Sequence, residues 1–592
     1  METRQRPDPH SYYEAGDPVL KHLEWKVGVD FETRRLVCTA TLIFSGSGMV
    51  SLDTRGLTIE RVASLMDNSF VWNLDAAEPI LGSRLRVELP EGLTGMRIRY
   101  STSPDASGLQ WLTPEQTAGK RHPFLFSQGQ CLNARSFLPC QDTPGVRFTF
   151  HADITVPIEL RGLMAARHLI RVNHEGQALE QWQMDNPIPS YLVALAVGNL
   201  ESHEIGNRSC VWAEPELVAQ AAVEFGEVDR MIDAAEQLFG PYLWGRFDIL
   251  VPPPSFPMGG MENPTLPFVS GTAVTGNRSG VYIIVHELAH AWTGNLVGSH
   301  TWDEYWINEG WTTYAELRIM EALYGKDIAD LNAALSEREF LRDCDEHRDN
   351  PCVLSLVTHT HNIDPDELLS RIAYHRGAQF LQALEQAVGR ARFDAFLRQY
   401  IEAFKFTSID TRMFLRFVAQ HLPGALEQVR AWEWVYEARM PDDAAPIRSA
   451  LMDVVVAFAS EGAVPSVEVA ASWDTHQAAL YFELFPRPAS PATCRVMLER
   501  FKLESRHQHN CDIQAAWLTL ALESGEFELV RETLEWFLRT VGRAKFLKPL
   551  YQELARRDET REWGRTMFEG NRSFYHHLTR LAITKFFEEK KA

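Results

Sequence analysis

The stretch Val281-Tyr282-Ile283-Ile284-Val285-His286-Glu287-Leu288-Ala289-His290, with Trp306-Ile307-Asn308-Glu309-Gly310 downstream, decides how this chain is read. His286 and His290 are four apart, so on a helix they share one face and both imidazoles can reach a single ion, with Glu287 beside them. The run Val281–Val285 is apolar, which places that helix inside the protein. Two histidines and a glutamate there would be costly without a ligand. Glu309 follows far enough on for the first helix to end, turn near Gly298–Thr301 and return as a second helix alongside. Its neighbours Trp306, Ile307, Trp311 and Tyr314 argue against a solvated residue. Two histidines and one carboxylate leave a fourth position for water, which is the catalytic arrangement of one Zn2+. Zinc lowers the pKa of such a water toward neutrality, and Glu287 is the expected general base. Asp303 and Glu316 are candidates to accept the outer ring N–H groups of the ligands, with a plain surface ion pair as the competing reading of each.

Outward from this centre the chain changes character. Before it, Leu36, Cys38, Ala40, Leu42 and Phe44 alternate with Val37, Thr39, Thr41 and Ile43, and Phe148–Val156 does the same. Such alternation predicts half-buried antiparallel strands, separated by turn clusters such as Ser45-Gly46-Ser47-Gly48. From about Pro215 helical periodicity takes over. Helices are expected over Leu217–Phe239, Gly280–Leu296, Asp303–Tyr324, Leu368–Gly389 and Ala391–Phe404, with a short strand at Phe247–Val251. The acidic, proline-bracketed Met440–Pro446 reads as a linker. Beyond it, one-sided helices such as Phe527–Val541 suggest a stacked helical array.

Composition sets the outer bounds. At 592 residues the chain is too long for one core. Acidic residues outnumber basic ones 79 to 58, for a formal charge of −21. That balance argues against a nucleic-acid partner and suits a cleft preferring cationic ligands. The densest apolar runs, Tyr191–Val197 and Val454–Phe458, are too short to span a bilayer. The N-terminal residues carry no apolar signal segment, and the eight cysteines contain no CxxC pair. A cytoplasmic protein with free, mostly buried thiols and no membrane partner is expected.

With Pro257-Met258-Gly259-Gly260-Met261-Glu262-Asn263 added in front, the two motifs resemble the M1 family of zinc aminopeptidases. Gln128-Gly129-Gln130, Leu138–Pro144, Trp292–Leu296, Asp364-Pro365-Asp366 and Gly542-Arg543-Ala544-Lys545-Phe546 resemble, in the same order, segments of its leukotriene A4 hydrolase branch, which includes aminopeptidase B. The resemblance implies a multidomain α+β fold. Its parts would be an N-terminal antiparallel β domain (1–203), a thermolysin-like zinc catalytic domain (204–439), a linker (440–447) and a C-terminal α-helical, solenoid-like domain (448–592). It implies zinc on His286, His290 and Glu309, Glu287 as base, and Tyr374 as oxyanion donor. Glu262, helped by Gln130, would bind the free α-amino group of a short peptide, and Gly259, Gly260 and Met261 would pair with its backbone. Arg543 and Lys545 would meet the carboxylate of a tri- or tetrapeptide, and Asp366 would bias the first side-chain pocket. A monomer is expected by the same likeness. Met258 and Leu369 depart from tyrosines of the leukotriene hydrolase, which weakens the alternative of a bifunctional, leukotriene-type epoxide hydrolase.

Overall fold

Period-two alternation puts one face of a strand inward, and the first two hundred residues fold accordingly. The computed structural model describes residues 6–350, 353–367, 370–442, 444, 446–504 and 510–588. Strands β1 (Leu20–Asp30), β2 (Arg35–Phe44), β3 (Thr58–Ser64), β4 (Gly95–Ser101), β5 (Arg147–Pro157), β6 (Arg167–His174) and β7 (Gln177–Pro189) form one sheet, ordered β6-β7-β5-β1-β2-β4-β3. Leu36, Cys38, Ala40, Leu42 and Phe44 all face the core. One pairing departs from the antiparallel expectation: β1 and β5 run parallel, with Trp25 opposite Ala152. A parallel pair needs a long crossover, and the chain between β2 and β5 supplies it, carrying strands of smaller three- and four-stranded sheets.

A second sheet fronts the catalytic region. Its strands β8 (Glu201–Glu204), β9 (Cys210–Ala213), β10 (Ile249–Leu250), β11 (Gly260–Met261) and β12 (Phe268–Val269) are ordered β8-β9-β10-β12-β11. The edge is therefore β11, antiparallel to β12 with Met261 opposite Phe268. Behind it lie α1 (Val281–Ala289), α2 (Tyr305–Tyr324), α3 (Lys326–Glu346) and α4 (Arg371–Val388). The expected helix 217–239 is two helices, Val218–Glu224 and Val228–Phe239, with Gly226 between them. The helix expected to reach Leu296 stops at Ala289, one residue short of His290. Helices α2 and α4 cross at glycines: a Cβ on Gly310 would sit 2.7 Å from the Gly377 Cα and 2.9 Å from the Ala373 carbonyl oxygen.

The β region and the catalytic region share one continuous apolar core, in which Phe126 lies 5.3 Å from Phe256, ring centre to ring centre. Helices from Ala450–Ser460 to His577–Glu588, among them α5 (Cys511–Glu523) and α6 (Ala544–Arg556), build a separate core around Tyr481, Trp517, Leu534 and Tyr551. Asp443 and Ala445 of the expected linker lie outside the described residues. Specific polar contacts fasten the helical array to the rest. The Gly542 N–H donates to the Pro254 carbonyl at 3.0 Å, and the Ala544 N–H to that of Pro257 at 3.3 Å. A Cβ on Gly542 would lie 2.5 Å from the same Pro254 oxygen, so this approach requires glycine. His576 reaches back to Gln110 of the β region at 2.6 Å. Among the described residues no helix is long and apolar enough to cross a membrane, and Cys38, Cys131, Cys140, Cys210 and Cys494 are buried free thiols.

Candidate metal centre and active site

His286 and His290 project from one face of the α1 end, and Glu309 faces them from the first turns of α2. The His286 Nε2 lies 3.2 Å from the His290 Nε2 and 3.3 Å from Glu309 Oε2, and the His290 Nε2 is 3.5 Å from that same oxygen. The outer nitrogens each have a partner. His286 Nδ1 faces the Glu316 carboxylate at 2.9 Å, which can only accept. His290 Nδ1 is 3.1 Å from the Thr312 hydroxyl, whose own proton goes to the Thr293 carbonyl at 2.6 Å. With Nδ1 donating outward, each neutral ring offers its Nε2 lone pair inward, where the two nitrogens and a Glu309 oxygen converge. Such a donor set fits a divalent cation, and its nitrogen-and-oxygen chemistry suits zinc.

Thr312 was not legible as a partner for His290, although its position three residues after Glu309 puts it on the same face of α2. Of the two carboxylates expected behind the ligands, Glu316 is in place and Asp303 is not. Asp303 Oδ1 instead accepts the Thr360 backbone N–H at 2.8 Å, anchoring the chain ahead of α4.

Glu287 is buried beside the imidazoles. Burial pushes its carboxyl up to about 8, against the pull of His286 and His290. Its carboxylate rests on β11 where Gly260 has no side chain, and a Cβ there would overlap Glu287 Oε1. Glu262, next along from β11, is also buried, and burial raises its carboxyl. Its Oε1 receives Asn308 Nδ2 at 3.4 Å and Gln130 Nε2 at 3.5 Å, while Asn295 holds its backbone carbonyl at 2.8 Å. One donor or acceptor atom each from Glu262, Glu287 and His290 lie within 4.8 Å of one another.

Tyr374 on α4 stacks near the His286 ring, 6.0 Å between centres and 18° between planes. Its hydroxyl is 3.2 Å from that of Tyr305, which in turn donates to Glu309 Oε1 at 2.8 Å. Tyr305 was not singled out from the sequence, where it reads as one more aromatic of the α2 start. Asp366 is exposed and accepts the Cys131 backbone N–H at 3.1 Å, which sets it beside Gln130. Arg543 packs against Gly259 and donates to the Thr272 hydroxyl at 3.0 Å. Lys545 is turned toward Asp512 in the first turn of α5, at 3.3 Å. Met258 packs on the core, and Leu369 lies outside the described residues.

Family comparisons agree with this geometry along the chain. Residues 19–192 match the peptidase M1 N-terminal domain, 223–434 the peptidase family M1 domain, and 473–587 the C-terminal domain of leukotriene A4 hydrolase. The chain is similar to a leukotriene A-4 hydrolase of Xenopus laevis, 34% identical with 98% of each chain covered. It is also similar to a leucine aminopeptidase 2 of Neosartorya fischeri, 31% identical over 98% of this chain and 97% of the relative. Among solved structures, yeast LTA4 hydrolase superimposes with a TM-score of 0.90 at 28% identity, covering 99% of this chain and 98% of the other. Whole-length likeness at this level, over all three regions and around a converging His-His-Glu set, makes the chain a hydrolase of the M1 zinc metallopeptidase family, in its leukotriene A4 hydrolase and aminopeptidase branch, with a single catalytic zinc.

Proposed function

We propose that the chain is an aminopeptidase that releases the first residue of tri- and tetrapeptide-sized substrates. The observation that carries this reading is the closeness of Glu262 to Glu287 and His290, their polar atoms within 4.8 Å of one another. An α-ammonium paired with Glu262 leaves room for only one residue before the carbonyl at the metal centre. The pairing is charge-assisted, and the buried carboxylate gains most from a cation. Relatives named leucine aminopeptidase 2 support the same reaction class.

His286, His290 and Glu309 would hold the zinc, which supplies Lewis acidity to activate water and polarise the scissile carbonyl. Glu287, whose carboxyl a divalent cation beside it would draw back toward the ionised form, takes the proton of the attacking water and delivers it to the departing amine. Tyr374 turns its hydroxyl to the oxyanion as the tetrahedral centre forms, a donor worth about 3 kcal/mol when preorganised. The extended substrate pairs with Gly259, Gly260 and Met261 along the open edge of β11, which grips backbone without reading side chains. Asp366 faces the first side chain, and Arg543 and Lys545 meet the distant carboxylate.

Leukotriene-type epoxide hydrolysis is the second reading, carried by the whole-length likeness to the Xenopus relative. The deciding experiment compares wild type with Glu287→Gln on tripeptides with Arg, Ala, Leu or Glu first, each free and N-acetylated, alongside zinc content. Cleavage of free peptides alone, lost in a variant that keeps its zinc, supports the reading. Equal cleavage of acetylated peptides, or none by a zinc-loaded wild type, sinks it.

A further inference from the structure

The hydroxyl of Tyr305 touches two parts of the active site at once. Tyr305 begins α2, one turn before Glu309, so its side chain lies along the helix face that carries the ligand. Its ring is fixed between Trp302 at 6.1 Å and Tyr374 at 6.0 Å, centre to centre, and it is 7% exposed. The hydroxyl lies 2.8 Å from Glu309 Oε1 and 3.2 Å from the Tyr374 hydroxyl. A phenol has one proton. The ionised carboxylate can only accept, so the Tyr305 proton is committed to Glu309. The contact with Tyr374 is then a hydrogen bond in one sense only, with Tyr374 donating to the Tyr305 oxygen. A directed chain results, from Tyr374 through Tyr305 to Glu309 Oε1, while Glu309 Oε2 is left facing both imidazoles.

We infer that Tyr305 is a positioning residue that fixes which oxygen of Glu309 faces the metal and holds the Tyr374 hydroxyl in place until a substrate oxygen claims its proton. The two arms are separable. Through Glu309, Tyr305 acts on metal affinity. Through Tyr374, it acts on the reaction, and this arm rests on the aminopeptidase reading above. The Arg371 guanidinium also stands over the Tyr374 ring, 5.3 Å from its centre, so the ring has contacts of its own and the hydroxyl's polar partner is Tyr305.

The test is Tyr305→Phe, which keeps the ring and removes only the oxygen. The zinc dissociation constant, read by competition with a chromogenic chelator, is expected to rise at least tenfold, the usual cost of losing a partner behind a metal ligand. For a tripeptide, kcat is expected to fall tenfold or more while KM stays within twofold. Tyr374→Phe is the second variant: its zinc dissociation constant stays within twofold of wild type, because the bond from Tyr305 to Glu309 survives. A hydroxyl with a merely structural role would lower the melting temperature of metal-free and zinc-loaded protein alike and leave zinc affinity unchanged. That result, or an equal loss of zinc affinity in Tyr374→Phe, overturns the proposal. If Tyr305→Phe weakens zinc tenfold but wild type cuts no peptide, the reaction assignment falls and the hold on Glu309 stands.

Discussion

Replacing Gly260 by alanine would displace the Glu287 carboxylate, the proposed base, and little else. A Cβ at this position would lie 2.6 Å from the Glu287 Cδ and 2.9 Å from its Cγ. Carbon atoms in ordinary contact are about 3.5–4.0 Å apart, so the carboxylate must retreat by roughly 1 Å. A misplacement of about 1 Å costs about 100-fold in rate, and complete loss of a general base about 10²–10⁴-fold. The expected fall in kcat is therefore about 100-fold, equivalent to about 2.7 kcal/mol of barrier. The backbone itself accepts the change, since Gly260 is not among the glycines of positive φ. An alanine in such a conformation also narrows the unfolded ensemble, worth about 0.4–1 kcal/mol in favour of the fold. The assay is steady-state release of the first residue from a tripeptide, with zinc content and melting temperature measured on the same preparation. Full zinc, an unchanged or slightly higher melting temperature and a 100-fold lower kcat are expected. A kcat within threefold of wild type would show that the Glu287 carboxylate does not work from where it lies.

Gly310→Ala should do the opposite, because its Cβ meets the Gly377 Cα and the Ala373 carbonyl rather than a side-chain end that can move. Forcing α2 and α4 apart should cost about 1–3 kcal/mol in urea unfolding, and a variant as stable as wild type would contradict the tight crossing. Acid should loosen the junction at His576. Its Nε2 donates to Gln110 and its Nδ1 accepts the Leu578 N–H, so the neutral ring suits the site, and burial, aided by His577 and Arg580, lowers its pKa to about 4. With an unfolded value of about 6.5, the unfolded chain takes up the proton first. The stabilisation is thus complete above about pH 6.5 and is lost as pH falls toward 4, about 2 kcal/mol of it by pH 5. Urea unfolding at pH 7.5 and 5 should show a smaller loss in His576→Gln than in wild type, and equal losses would refute the assignment.

What the sequence made legible was whatever is written at short range. The four-residue spacing of His286 and His290 is a property of one helix, and the alternation of Leu36 to Phe44 is a property of one strand. The apolar setting of Glu309 was readable for the same reason. Long-range choices were not. Nothing within β1 or β5 says that they pair in parallel, because alternation fixes the face of a strand and not its neighbour. Asp303 and Glu316 looked equivalent as carboxylates behind the ligands, and only the path of the chain through Thr360 separates them. Lys545 was paired with Arg543 toward a peptide carboxylate, and nothing near it in the sequence says that α5 brings Asp512 within 3.3 Å. Tyr305 was hidden for another reason: a hydroxyl at the end of a buried ring has no signature in composition, and its meaning arises only where two helices bring Glu309 and Tyr374 to it.

If the proposed peptide roles hold, the two backbone bonds from Gly542 and Ala544 to the Pro254–Pro257 loop would make the cleft a ruler of fixed length. The loop runs on into the edge strand that would grip the start of the peptide, and the bonded residues flank Arg543, which would meet its end. Both marks of the scale are thus cut into one piece of the molecule, and the helical array cannot swing outward to admit a longer chain without breaking them. On the aminopeptidase reading proposed above, selection by length would be settled before any substrate arrives, by how closely a glycine lets two backbones approach.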